Sequence, residues 1–436
     1  MKGLTKRLLV ISLDAVSSED FAYLRTLPNF SRLMDTSAIC TNVHSVYPSI
    51  TYPAHTSIIT GKYPGRHGIV NNTLIQPNRK SPDWFWQRKY IQGTTLYDEM
   101  IKDNKVVAAL LWPVTAGSQI QYNLPEIFAN RPWTNQMMTS MANGSVLYSA
   151  ILNKKFGHLR KGKQQPFLDN FVHECVKYTL EICKPDLTLV HFTDVDTHKH
   201  IYGTKAAQVF EALDRHDRRI GEILDTLDQH GLMDETTLVI LGDHSQLDAR
   251  KVIYLNRIFW DRGLIKIRRD KMVHWHALCK NCDGCAYIYV KSREMRPRVY
   301  ELLKHLKASG KYGIGHIYTH REAVAQGADP MCAFMVEAKE GCYFLDDWEK
   351  SMEDVENLEP SDHRMMATHG YHPDRENYQT FFMASGPGIR AGAVVEQMSL
   401  VDEGPTLAKL AGVDLGTVDG RVIHEILLDR KGDDLC

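Results

Sequence analysis

An α/β fold, with a central and mostly parallel sheet flanked by helices and a smaller inserted lobe, is the architecture this 436-residue sequence predicts. Three observations carry it. Short continuous apolar runs recur along the chain, as in strands buried on both faces. A polar turn and a segment of helical period follow them, the alternation that parallel strands require. From residue 251 to 366 that rhythm breaks, which marks a lobe or sheet extension inserted within a single domain spanning 1–436.

The first strand is "RLLVISLD" from Arg7, ending in Asp14. In "YPSITYPAHTSIITG", Tyr47 to Gly61, the Thr51 hydroxyl precedes Pro53 at the first helical position and a short apolar run, a helix start with Gly61 as its stop. Such a start aims backbone N–H groups at any anion above Thr51. "VVAALLW" from Val106 is the next strand, and the stretch from Trp112 to Gly162 has no regular period. The helix "PFLDNFVHECVKYTLEI" from Pro166 leads into the strand "LTLVHFTDVD" from Leu187. The helix "QVFEALDRHDRRIGEILDTLDQHG" from Gln208 leads into the strand "TLVILGDH" from Thr237. In the lobe, "CAYIYV" from Cys285 and "MCAFMVEA" from Met331 are strand-like, "KSREMRPRVYELLKHLKASG" from Lys291 is helical, and "DDWEKSMEDVENLEPSD" from Asp346 is acidic. A strand "YQTFFMAS" from Tyr378 and a helix "EGPTLAKLAG" from Glu403 close the fold.

Lys+Arg 52 against Asp+Glu 53 leaves a net charge of -1, so no global field draws the chain to nucleic acid or a membrane, and stable nucleic-acid binding is not expected. The apolar run before Asp14 is too short for a signal peptide, and no segment reaches membrane-spanning length. Nine cysteines, an odd number, fit a reducing compartment better than a disulfide framework. The expected location is therefore the cytoplasm.

Acids and histidines gather at strand ends. Asp14 ends the first strand, Asp194 and Asp196 follow "LTLVHF", and Asp243 and His244 follow "TLVILG". Three strands thus deliver carboxylates at their carboxyl ends, the edge where open α/β sheets bind ligands. One such Asp is an ordinary helix cap; three, two of them with nearby histidines, point to a metal site. "DTHKH" places Asp196 and His200 four residues apart, within reach of one ion, and "THGYHP" adds His369 or His372. Mixed oxygen and nitrogen donors suit zinc or another first-row divalent ion better than calcium or magnesium. A threonine hydroxyl is a weak nucleophile at neutral pH and gains from such an ion, while a pair of ions about 3.5–4 Å apart clamps an in-line displacement.

In order and kind, "LLVISLDAV", "YPSITYPAHTSIITGKYPGRHGIVNN", "DVDTHKHIYG", "LGDHS" and "ATHGYHP" resemble the motifs of the alkaline phosphatase superfamily, above all its nucleotide pyrophosphatase/phosphodiesterase branch. The resemblance runs nearly the whole length, through a closing "SLVDEGPTLAKLAGVDLGTVDGRVI". It implies an alkaline-phosphatase-like fold and two Zn2+ ions, with Mn2+ or another divalent ion as substitutes. Asp14, Thr51, Asp243 and His244 would hold one ion, and Asp196, His200 and His369 the other. The resemblance makes Thr51 the nucleophile of a covalent phospho-threonine intermediate, Asn72 a hydrogen-bond donor to a phosphoryl oxygen, and Tyr52 a surface for stacking a nucleobase. The implied activity is hydrolysis of a phosphodiester or phosphoanhydride bond in a small-molecule or nucleotide substrate. A phosphonoacetate-type carbon–phosphorus hydrolase shares these ligands, and a non-catalytic metal-binding relative would keep them, so both stand as alternatives.

Ser245 where glycine is usual, Ala54 where asparagine is common, and His198 at a usually small position depart from the pattern without removing an implied ligand. Asp194 reads as structural. No Cys/Ser-x-Pro-x-Arg sulfatase signature surrounds Thr51, and "LWPVTAG" lacks the Lys-x-Arg pair with which monoesterases of this superfamily bind the extra phosphate charge, so a monoanionic diester fits better. "CKNCDGC", with Cys279, Cys282 and Cys285 and with His274 and His276 upstream, is a weak signal for a further metal site.

Overall fold

This computed structural model describes residues 3–359 and 364–428. The chain lays down β1 (Arg7–Leu13), β2 (Ala38–His44), β3 (Val107–Leu110), β4 (Tyr122–Leu124), β5 (Leu187–Phe192) and β6 (Thr236–Leu241) in one sheet. It then builds a second, four-stranded antiparallel sheet from β7 (Ala277–Cys282), β8 (Cys285–Val290), β9 (Ile314–Thr319) and β10 (Phe334–Ala338). The main sheet is completed by β11 (Thr380–Ser385) and β12 (Met398–Ser399), in the spatial order β12-β2-β11-β6-β1-β5-β3-β4.

Helices cover both faces, and β1 shows why. Leu8 and Val10 join one core with α1 (Thr51–Thr60) and the closing helix Glu403–Ala411, while Leu9, Ile11 and Leu13 join the other. That second core receives α2 (Phe167–Tyr178) and α4 (Ala207–Gln229), with α3 (Asp194–Tyr202) between them in sequence. The helix α4 buries Val209, Ala212, Leu213, Ile220, Ile223, Leu224 and Leu227, a stripe at helical spacing. No helix of the described residues is long and apolar enough to cross a membrane.

Several expectations shift in detail. The strand expected from Tyr378 is β11, which runs antiparallel to both its neighbours, β6 and β2. The chain leaves the carboxyl end of β6, makes a long excursion, and re-enters the sheet from that same end, so β11 must run back. The sheet is accordingly mixed. The helix from Pro166 is α-helical only to Tyr178 and continues as a π turn, Thr179–Cys183. Thr51 is itself the first residue of α1, with extended Ile50 as the N-cap, so Pro53 stands two residues inside rather than at the first position. Gly61 ends the helix at φ 64°, as expected. The strand β2 and the short strands β4 and β12 lack the apolar runs that mark β1, β5 and β6. The end of the acidic stretch, 360–362, lies outside the described residues.

Candidate active site

Because β6, β1 and β5 are adjacent and parallel, the residues that follow them converge on one edge of the sheet. Asp243 and His244 follow β6, Asp14 follows β1, and Asp194 and Asp196 open α3 behind β5. The Thr51 hydroxyl, at the start of α1, lies 3.2 Å from His244 Nε2. That same nitrogen is 3.2 Å from Asp243 Oδ2 and 3.4 Å from Asp14 Oδ1. Separations of about 3.3 Å are the edges of a tetrahedron whose corners sit about 2.0–2.1 Å from its centre, a zinc–ligand distance. Beside this group, His200 Nε2 lies 3.2 Å and His369 Nε2 4.0 Å from Asp196 Oδ1. Within each set, Asp14/Asp243/His244 and Asp196/His200/His369, the ligand atoms lie within 4.8 Å of one another.

The donor chemistry fits divalent cations. Asp14 Oδ1 and Asp243 Oδ2 are buried without a hydrogen bond among the described residues although both face His244 Nε2. Burial, and then the nearby Asp196 carboxylate, lift the Asp14 carboxyl to about 7, and burial together with Asp14 raises Asp243 well above the carboxylate range. Crowded, buried carboxylates of this kind suit a cation. Burial drops His244 to about 3, which keeps it neutral and able to donate a lone pair. His200 is lifted to about 9 by Asp196 in spite of burial, and its Nδ1 hydrogen-bonds the Ala367 carbonyl at 2.8 Å, which turns Nε2 toward the site.

Backbone donors at the helix start are fewer than expected. Asn72 Oδ1 accepts the Tyr52 amide at 2.9 Å and Pro53 has no N–H, so in the first turn before Ala54, whose amide bonds Ile50, only Thr51's own amide has no partner among the described residues. Tyr52 also differs from its expected role. Its ring is fully buried, edge-on to Trp84 at 5.1 Å, with its hydroxyl 3.5 Å from the Glu126 carbonyl. Such a ring has no open face for a nucleobase, because the aromatic segment carrying Trp84 and Trp86 packs over it.

Among the remaining candidates, Asp194 binds Arg215 through both oxygens, at 2.8 and 2.9 Å, and Arg219 at 2.9 Å. His198 bonds back to the Asp194 carbonyl and stacks on Tyr202. His372 pairs with Gln326, leaving His369 as the histidine of "THGYHP" at the site. Cys279, Cys282 and Cys285 are buried strand residues, and none joins a possible metal group among the described residues.

Four neighbours escaped the sequence reading. His55 Nδ1 donates to the Thr51 carbonyl at 2.8 Å and lies 3.5 Å from Asp243 Oδ2; its place one helical turn beyond Thr51 was a usable signal. His191 bridges Asp14 Oδ2 at 3.0 Å and Glu126 Oε2 at 3.1 Å. It pairs in register with Ser12 on β1, which only the strand order reveals. Gln246 donates to Asp196 Oδ1 at 2.6 Å, and Asp283 Oδ2 lies 3.3 Å from His369 Nδ1.

Comparisons with known proteins identify the family. Residues 8–372 match the family described as type I phosphodiesterase / nucleotide pyrophosphatase. Ectonucleotide pyrophosphatase/phosphodiesterase family member 1 of Homo sapiens is 26% identical over 278 residues, 59% of this chain and 26% of that protein. Venom phosphodiesterase of Macrovipera lebetinus is 24% identical over 271 residues, 58% of this chain and 27% of that protein. The matched segments thus span about a quarter of those relatives' length. The structure of murine ectonucleotide pyrophosphatase/phosphodiesterase 5, an inactive form in complex with AMP, aligns with TM-score 0.66 at 18% identity, over 97% of this chain and 100% of that one. The human counterpart aligns at 0.67 and 18%, over the same shares, and both likenesses speak to the fold. Family match and shared architecture together show that the chain belongs to the type I phosphodiesterase / nucleotide pyrophosphatase family of the alkaline phosphatase superfamily.

Proposed function

We propose that the protein is a two-metal phosphodiesterase or nucleotide pyrophosphatase that works through a covalent phospho-threonine intermediate. The observation that carries this reading is the Thr51 hydroxyl at a helix start, 3.2 Å from the nitrogen around which Asp14 and Asp243 also gather. Asp14, Thr51, Asp243 and His244 would hold one divalent ion, and Asp196, His200 and His369 the other, with zinc favoured by the mixed donors. When bound, the ions supply positive charge that lowers the pKa of the hydroxyl and offsets charge on the phosphoryl oxygens.

The chain's own residues do the rest. The Thr51 oxygen forms a bond to phosphorus as the bond to the leaving oxygen breaks, and water later cleaves the Thr51–phosphorus bond, which restores the hydroxyl. Asn72 Nδ2 and the Thr51 amide donate to the equatorial oxygens, and the α1 N-terminus favours their charge. His55 holds the Thr51 carbonyl in place, and His191 holds Asp14. Nucleotides and small phosphodiesters are the proposed substrate class, supported by the family and by AMP in the murine structure. The eight described cysteines are all free, which supports a reducing compartment such as the cytoplasm. Residues 251–366 are best viewed as an insertion in one domain, because β6 and β11 on either side of it are neighbours in the main sheet.

The test is hydrolysis of an aryl phosphodiester by wild-type protein and Thr51→Ala, with metal content by elemental analysis. A loss of at least about a thousandfold is expected for loss of a nucleophile. Undiminished turnover by Thr51→Ala would sink the reading, as would release of phosphate from phosphonoacetate without turnover of diesters. Two bound metals with no turnover of diester, pyrophosphate, phosphonate or monoester would leave a binding protein instead.

A further inference from the structure

We infer that Asp283, in the turn of the β7–β8 hairpin, is a positioning residue that orients His369 toward the metal it would bind, so that the second sheet forms part of the site; this rests on the proposed two-metal reading. His369 Nδ1 is buried, has no hydrogen bond among the described residues, and lies 3.3 Å from Asp283 Oδ2. Its Nε2 faces Asp196 at 4.0 Å. A metal-ligating histidine needs its other nitrogen held by an acceptor, which fixes both tautomer and ring direction. Asp283 supplies a carboxylate where that acceptor is required.

The hairpin is held against the His369 loop by backbone as well. Gly284 N donates to the His369 carbonyl at 2.8 Å, and a Cβ at Gly370, whose φ is +84°, would meet the Cys282 carbonyl oxygen at 1.8 Å. The other flank of the hairpin is tied to the loop of Asn72. Asn71 Nδ2 donates to the Asn281 carbonyl at 2.7 Å and to Cys282 Sγ at 3.1 Å. Asp283 adopts φ 60°, the left-handed conformation that Asn and Gly also accept. Asp283→Asn and Asp283→Gly therefore suit the turn, the first keeping a neutral acceptor and the second removing it.

The experiment titrates Zn2+ into metal-free wild-type, Asp283→Asn and Asp283→Gly protein against a chromophoric chelator. It also reads the His369 tautomer by imidazole 15N shifts and the unfolding midpoint of each metal-free protein. Asp270→Gly, a second left-handed turn residue on an exposed hairpin, is the control. Removal of the acceptor should weaken one of two zinc affinities about 10–100-fold, and Asp283→Asn should weaken the same one about 3–10-fold. The other affinity should hold, the Nδ1–H signal of His369 should be lost in Asp283→Gly, and metal-free midpoints should stay within about 2 °C of the control. Wild-type affinity at both sites in either variant would overturn the inference. Equal weakening at both sites with an earlier metal-free midpoint would overturn it too, leaving the turn merely structural. Wild-type protein that takes up no zinc would instead overturn the two-metal reading, and the inference with it. Should Asp283→Gly fail to fold, Asp283→Asn decides alone on the same criteria.

Discussion

Asn72 has two tasks, and its two amide atoms separate them. Its Oδ1 caps the Tyr52 amide at 2.9 Å, and its Nδ2 is the proposed donor to phosphate. Asn72→Asp keeps the acceptor and loses the donor, whereas Asn72→Ala loses both. Initial rates on a diester should fall about 100–1,000-fold in both variants, but urea unfolding should show a loss of about 1 kcal/mol for Asn72→Ala alone. Equal stability in the two would mean that the cap is idle. This scale was the most legible in sequence, because ligand-type residues sit directly after strand ends, where adjacency in sequence becomes adjacency in space. Residues whose role depends on a distant partner were not legible. Tyr52 could not be read as buried without the packing of Trp84, and Asp283 stands 86 residues before His369.

Among elements, the apolar runs at β1, β5 and β6 announced themselves because strands covered on both faces leave no polar alternation. Direction was harder to read: β11 has the same apolar signature, but only the route of the preceding excursion reverses it. Caps from remote elements are equally hidden. Asp217, midway along α4, accepts the amides of Asn29 and Phe30 at 2.9 and 2.8 Å, at the N-terminus of the helix Pro28–Met34. Its other oxygen takes Asn29 Nδ2 at 2.9 Å. Asp217→Ala strands one buried and two part-buried donors and should cost about 3 kcal/mol by urea unfolding, at the level expected for charge-assisted hydrogen bonds. A change below about 0.5 kcal/mol would show that water caps the helix equally well.

For the molecule as a whole, acid should destabilise it through histidines remote from the metal ligands. Burial pushes His67 and His216 down to about 3. Unfolded imidazoles take a proton near 6.5, so below about that pH the unfolded state binds more protons and stability falls as pH falls, until about 3. Each histidine contributes up to about 1.4 kcal/mol per pH unit, and His216→Leu should flatten the fall of the urea midpoint between pH 6.5 and 5. An unchanged slope would place His216's titration elsewhere. Metal withdrawal should also act globally: at a free concentration of about 100 times Kd, zinc contributes about 2.7 kcal/mol, which dialysis against chelator removes and added zinc restores. The most direct test of the central claim is the stereochemical course at phosphorus, measured on a diester phosphorothioate of one configuration in isotopically labelled water. Attack by Thr51 followed by attack by water inverts the centre twice and predicts net retention; net inversion would mean that water attacks the substrate directly and that Thr51 never carries the phosphoryl group.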